Sequence, residues 1–152
     1  MSYQFLLSEE PTQWALAMRT RTAVTNLPQE LGIAYNSIME YLASLGEETS
    51  GPAFAAYYNM DMEDLDVAMG FIVPKFLPGK DSIYSHEIPS GKQVSYLYQG
   101  PYSQMAPVYD AMASWMQENN LTPTGICYEF YYNSPMDVPE SELLTKIVFP
   151  LK

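Results

Sequence analysis

Among 152 residues the chain has one cysteine and one histidine. A single thiol, Cys127, excludes an internal disulfide and any CxxC zinc site. A single imidazole, His86, excludes HExxH and multi-histidine metal centres. A Ser-His-Asp or Cys-His nucleophile would have to use one of these two, and neither stands in a motif such as GxSxG. His86 lies in Tyr84-Ser85-His86-Glu87-Ile88-Pro89, which reads as a connecting segment where an exposed histidine is expected. Neither metal nor cofactor is called for. Long apolar runs are lacking as well. Nothing approaches the roughly 20 consecutive apolar residues of a membrane span. The opening MSYQFLLSEEPTQW has neither the basic start nor the long apolar core of a secretory signal. A cytoplasmic protein without membrane contact is expected. Basic residues are scarce too, seven against 18 acidic, for a net charge of −11. Such a chain repels phosphate backbones, so direct nucleic-acid binding is not expected, whereas cations are weakly favoured at long range.

What remains is plentiful in apolar and aromatic side chains. Hydrophobic residues make up 47% of the sequence, with 13 tyrosines and ten methionines. That content suits one domain over 1–152, with a real core. The organisation inside it is a repeat. Displaced by 74 positions, Tyr35 falls on Tyr109, Ile38 on Met112, Tyr41 on Trp115 and Leu42 on Met116. Gly51 falls on Gly125, and Tyr57-Tyr58-Asn59 on Tyr131-Tyr132-Asn133. A duplicated unit implies approximate two-fold symmetry, with a ligand cleft expected where the halves meet. The repeat breaks at one telling place. Glu129 corresponds to Ala55, a carboxylate where the other copy has a methyl group.

Each copy reads as strand, helix, strand, strand, the first over about 12–74 and the second over about 92–151, joined by a linker at 75–90. Trp14 to Thr22 is the first strand. Leu31, Ala34, Tyr35, Ile38, Tyr41, Leu42 and Leu45 form a helical stripe. Pro28 suits the first turn of that helix and Gly46 the position past its end. Ala53 to Asn59 and Val67 to Pro74 form a hairpin around an acidic turn. In the second copy the strand Lys92 to Gln99 leads through Gly100-Pro101-Tyr102 to a stripe of Met105, Val108, Tyr109, Met112, Trp115 and Met116. Gly125 to Asn133 and Leu143 to Leu151 close it. Aligning Phe71-Ile72-Val73-Pro74 with Ile147-Val148-Phe149-Pro150 makes the second hairpin loop two residues longer. The fold class is α+β, two main helices against antiparallel sheet.

These units, with Gly100-Pro101-Tyr102 before the second helix and Tyr128-Glu129-Phe130-Tyr131-Tyr132-Asn133 in the penultimate strand, resemble the GyrI-like small-molecule-binding domain. That domain is the effector-binding part of BmrR-type and some AraC-type regulators, including Rob. The resemblance covers about Trp14 to Leu151. It implies an eight-stranded, pseudo-two-fold fold whose central pocket takes small molecules, often lipophilic cations, with a buried glutamate, here Glu129, as the anionic anchor. In the regulators a DNA-binding region precedes this domain. Here the repeat begins near Met1, so a stand-alone sensor or sequestering module is expected.

In strand register Glu129 shares a face with Cys127 and Tyr131, while Tyr128, Phe130 and Tyr132 occupy the other. A carboxylate on an interior face needs a partner, and a cationic ligand would supply it, with cation–π attraction from nearby rings. Alternatively, Glu129 pairs with Arg19, Arg21 or Lys146, or faces solvent. Tyr57 and Tyr131, as repeat mates on this face, are further ligand candidates, and Tyr35, Tyr98 and Trp115 complete the set. Met112 and Met116 read as core. No catalytic residue is assigned. The leading reading is a non-catalytic binding module for amphipathic, cationic small molecules. The alternatives are a hydrolase of strained electrophiles, in which the resemblance implies Glu129 activating water, and a gyrase-modulator-like protein-interaction module.

Overall fold

The computed structural model describes residues 3–152. Two helices and eight strands give the α+β class expected. In chain order these are β1 (Leu6–Glu10), β2 (Gln13–Thr22), α1 (Leu27–Leu45), β3 (Ala53–Tyr57), β4 (Leu65–Val73), β5 (Tyr84–Ile88), β6 (Gly91–Gln99), α2 (Ala106–Glu118), β7 (Cys127–Tyr131) and β8 (Leu144–Pro150). Among the described residues no helix is long and apolar enough to cross a membrane.

The strands fall into two compact units. Pro11–Ser90 carries an antiparallel sheet in the order β3-β4-β2-β5 with α1. Here α1 starts with proline in its first turn and stops at Gly46, whose φ of 68° is the left-handed cap that glycine adopts without strain. It buries Ala34, Ile38 and Leu42, and the last two join a core with Leu16, Val73 and Leu77. Backbones approach closely beside this core. A Cβ on Gly70 would lie 1.9 Å from the Leu16 carbonyl oxygen, so no side chain fits there.

The other unit joins β1 to Gly91–Lys152, in the order β1-β6-β8-β7 with α2. Val108, Met112 and Met116 of α2 bury against Val94, Cys127 and Ile147. These helix positions lie 74 residues after Ala34, Ile38 and Leu42, so the buried stripes follow the spacing of the sequence repeat. Met112 and Met116 are core, as their spacing indicated.

Four sequence expectations need correction. The eight strands implied by the resemblance are present, but the residue pattern yields only six of them and leaves out β1, which pairs with β6 from Leu6↔Ser95 to Glu10↔Gly91. The supposed linker at 75–90 contains β5, paired with β2 from Gln13↔Ile88 to Ala17↔Tyr84. His86, on that strand, is 7% exposed rather than open to solvent. Its Nδ1 lies 3.2 Å from the Tyr84 hydroxyl, and burial with the nearby Arg19 charge lowers its pKa to about 4. The second hairpin loop is longer by four residues, not two. Nine residues separate Tyr57 from its partner Val67, and thirteen separate Tyr131 from Thr145.

Candidate functional site

The site is built on β7 and the first turns of α2. Side chains alternate along a strand, so Cys127, Glu129 and Tyr131 share a face, and α2 packs on that face. Cys127 is buried in the α2 core. One turn before the buried Met112 of α2, Tyr109 reaches Glu129, its hydroxyl donating to Oε2. The Tyr131 hydroxyl donates to Oε1 at 2.7 Å. The Cys127 thiol donates to the Tyr109 oxygen at 3.7 Å. The order of donation is therefore thiol to phenol to carboxylate, with a second phenol on the other carboxylate oxygen.

Each phenol that donates to Glu129 has a ring neighbour. Tyr109 stands edge-on to Phe149 at 5.9 Å between centroids, and Tyr102 edge-on to Tyr131 at 5.9 Å. Tyr102 sits in the 3-10 turn Tyr102–Gln104 before α2 and is the outermost ring, 42% exposed. Burial raises the Glu129 carboxyl above its ordinary pKa, and the two phenol hydrogen bonds pull the other way. Burial also drives the Tyr109 hydroxyl up, reinforced by Cys127 and Glu129, and drives the Cys127 thiol up. Neither is a thiolate or phenolate at neutral pH.

Of the basic residues weighed as partners for Glu129, two are engaged elsewhere and the third lies on the other face. Arg19 forms a two-pronged pair with Asp66 at 2.8 Å and lies 3.8 Å over the Tyr58 ring. Arg21 pairs with Asp64 at 2.9 Å. Lys146 stands opposite Phe130 in the β7–β8 ladder, hence on the other face from Glu129. Among the described residues Glu129 has two hydroxyl donors and no ion pair. A carboxylate so held keeps lone pairs for a further donor. No group of three or more potential metal ligands forms among the described residues.

Of the six residues singled out from sequence, Glu129 and Tyr131 are in direct contact. Tyr98 and Trp115 belong to the same unit but engage elsewhere. The Tyr98 hydroxyl donates to the Pro101 carbonyl at 2.8 Å. Its ring lies over Gly100, where an added Cβ would meet the hydroxyl at 2.8 Å, so Tyr98 braces the turn into α2. Trp115 stands against Phe5 at 5.8 Å. Tyr35 and Tyr57 belong to the Pro11–Ser90 unit. Tyr35 donates to the Phe54 carbonyl at 3.1 Å, with its ring 5.0 Å from Phe71. Tyr109, its repeat mate, keeps the ring contact with a phenylalanine but turns its hydroxyl to a side chain. Sequence reasoning had Tyr109 only as a core residue of the helical stripe. The signal was present, since Tyr35 aligns with Tyr109 where Ala55 aligns with Glu129.

Residues 9–152 match the GyrI-like small molecule binding domain. No curated protein matches the chain. The solved EcmrR C-terminal domain is 22% identical with a TM-score of 0.84, over 100% of this chain and 99% of that one. Against EcmrR in its DNA complex with RPo the score is 0.85 at 21% identity, over 99% of this chain, which spans 57% of the regulator's. SAV2435 bound to tetraphenylphosphonium is 12% identical with a TM-score of 0.60, over 100% of this chain and 94% of that one. A hydrolase encoded by lin2189 from Listeria innocua is 14% identical at 0.69, over 99% and 92%. At these identities the likeness is one of fold.

Proposed function

The chain belongs to the GyrI-like family of small-molecule-binding domains, and from that premise we propose that it binds amphipathic cations at Glu129. One observation carries this reading. Glu129 is a partly buried carboxylate fixed by Tyr109 and Tyr131, with no ion pair among the described residues. Desolvating such a group is costly. A cationic ligand offsets that cost, and the rings of Tyr102, Tyr109 and Tyr131 supply apolar area and cation–π faces worth roughly 0.5–2 kcal/mol each. A structural relative bound to tetraphenylphosphonium supports the ligand class. The acidic balance of the chain works in the same direction.

Calorimetry with tetraphenylphosphonium, neutral triphenylphosphine oxide and anionic tetraphenylborate tests the reading. The cation should bind at least tenfold more tightly than either, a difference of about 1.4 kcal/mol. Glu129→Gln should keep the fold and lose that preference. Equal affinities for the three compounds would remove the charge argument.

A second reading, hydrolysis of strained electrophiles with Glu129 as the base, draws on two points. Burial raises the Glu129 carboxyl toward the range useful for proton transfer, and a protein named as a hydrolase shares the fold. Incubating an epoxide panel with wild type and Glu129→Gln, followed by mass spectrometry, decides it. Turnover lost in the variant supports this reading; a panel left intact by the wild type removes it.

A further inference from the structure

One more polar group is buried on the sheet face that carries Glu129 and Tyr131. Thr145 is 0% exposed, and its hydroxyl has no hydrogen-bond partner among the described residues. The ladders fix where it lies. Thr145 stands opposite Tyr131 on β7 and Tyr98 on β6, and the next residue on its face, Ile147, stands opposite Glu129. Thr145 and Glu129 are therefore diagonal neighbours across the β7–β8 pair, their Cα atoms roughly 7–8 Å apart.

The other unit supplies the control. Val67 occupies the corresponding register position, opposite Tyr57 and Thr20, and is likewise 0% exposed. Valine and threonine share a shape, differing by a methyl group against a hydroxyl. A buried hydroxyl without a partner is destabilising, and valine would fill this space without that cost. On this face the second unit departs from the first at several positions, among them glutamate for alanine and threonine for valine at diagonal positions, and tyrosine (Tyr98) for threonine (Thr20) beside the latter. The carboxylate is charged and the hydroxyl neutral, so they call for different groups on a ligand.

Building on the cation-binding reading, we propose that Thr145 is a specificity-determining residue of the Glu129 site. Its hydroxyl exchanges a hydrogen bond with the ligand, which is an amphipathic cation bearing a hydroxyl, carbonyl or N–H group a ring's breadth from its charge. Tyr131 covers the space between the two positions. The half-exposed Tyr102 ring stands edge-on against it. A cation without a hydrogen-bonding group binds through Glu129 alone and leaves the Thr145 hydroxyl unpaired.

The test compares tetraphenylphosphonium with its 2-, 3- and 4-hydroxyphenyl triphenyl analogues by calorimetry. One of the three should bind wild type about fivefold to tenfold more tightly than the parent, the yield of one hydrogen bond. Thr145→Val should abolish that gain while leaving tetraphenylphosphonium affinity within about twofold, and Thr145→Ser should retain it. The thermal midpoint of Thr145→Val should equal or exceed that of wild type, because an unpaired hydroxyl is replaced by a methyl group. No advantage for any isomer, or an advantage that survives Thr145→Val, overturns the proposal while the cation reading stands. A large fall in the Thr145→Val midpoint overturns it too, by showing that the hydroxyl already serves the fold. Failure of tetraphenylphosphonium itself to bind wild type overturns the cation reading beneath both.

Discussion

Glu129 is governed by two opposed effects of similar kind. Burial favours the neutral acid, and two phenol donors favour the carboxylate. In the proposed reading cation binding requires the ionised form, so affinity should rise with pH as Glu129 loses its proton. Tyr109→Phe deletes one of the donors and leaves the desolvation unchanged. Its effect is therefore to raise the Glu129 carboxyl further. In tetraphenylphosphonium titrations from about pH 4 to 8, the rise in affinity should move to higher pH in Tyr109→Phe. The plateau at the top should change little. The thermal midpoint should drop modestly, since the Cys127 thiol loses its acceptor and Glu129 a donor, each of order 1 kcal/mol. An unmoved pH profile would mean that the Tyr109 hydroxyl does not set the charge on Glu129.

The elements that the sequence reveals are those with a periodic apolar face. Both helices announce themselves by residues spaced three and four apart, and six strands by their apolar content and flanking turns. The two missed strands, β1 and β5, each pair with a single strand in their unit. Leu-Leu-Ser-Glu-Glu and Tyr-Ser-His-Glu-Ile carry little apolar pattern, and pairing with distant strands, which no local window sees, holds them. The hairpin error has a related cause. Sliding a strand by two residues keeps every side chain on its own face, so the apolar pattern cannot distinguish a loop two residues longer from one four longer. In the site, period two was enough to put Glu129 beside Tyr131. The approach of Tyr109 depends on how α2 docks, which no strand pattern contains.

Strand β5 brings a measurable consequence, because His86 is buried with Tyr84 beside it on the strand, the Phe54 ring 5.7 Å away and the Arg19 charge nearby. Its pKa falls from 6.5 to about 4 on folding. A depressed histidine makes the unfolded chain the better proton acceptor. Its stabilising contribution is present above pH 6.5 and is lost as the pH falls toward 4, amounting to roughly 3 kcal/mol across the window. Glu129, raised on folding, acts with the opposite sign, since its contribution is present at low pH and lost as the pH rises. Urea unfolding is therefore best followed in the Glu129→Gln background. Stability there should fall between about pH 7 and 5, and adding His86→Gln should remove most of the slope over that range. The paired aspartates enter only at the acid end. Asp64 and Asp66 are held below the ordinary carboxylate range by Arg21 and Arg19, so they add to the slope below about pH 5, where the unfolded chain takes up their protons. A slope unchanged by His86→Gln would place the sensitivity elsewhere.

The net charge of −11 and the single carboxylate at Glu129 both favour cations, but salt separates them. Exposed charges act through water and are screened over a Debye length of about 10 Å at 0.1 M ionic strength. A partly buried carboxylate touching its ligand is screened much less. Tetraphenylphosphonium affinity should therefore divide into a diffuse contribution that fades as salt rises and a local one that persists. Glu129→Gln removes one charge of the 18 acidic residues, which barely alters the diffuse field, and removes the local contribution entirely. Plotted as log affinity against log salt between about 0.05 and 0.5 M, wild type and variant should give nearly parallel lines. They should be offset by tenfold or more at every point. Lines that converge at high salt would mean that Glu129 acts as one more screened surface charge, and that the cation preference belongs to the acidic surface instead of to a built site.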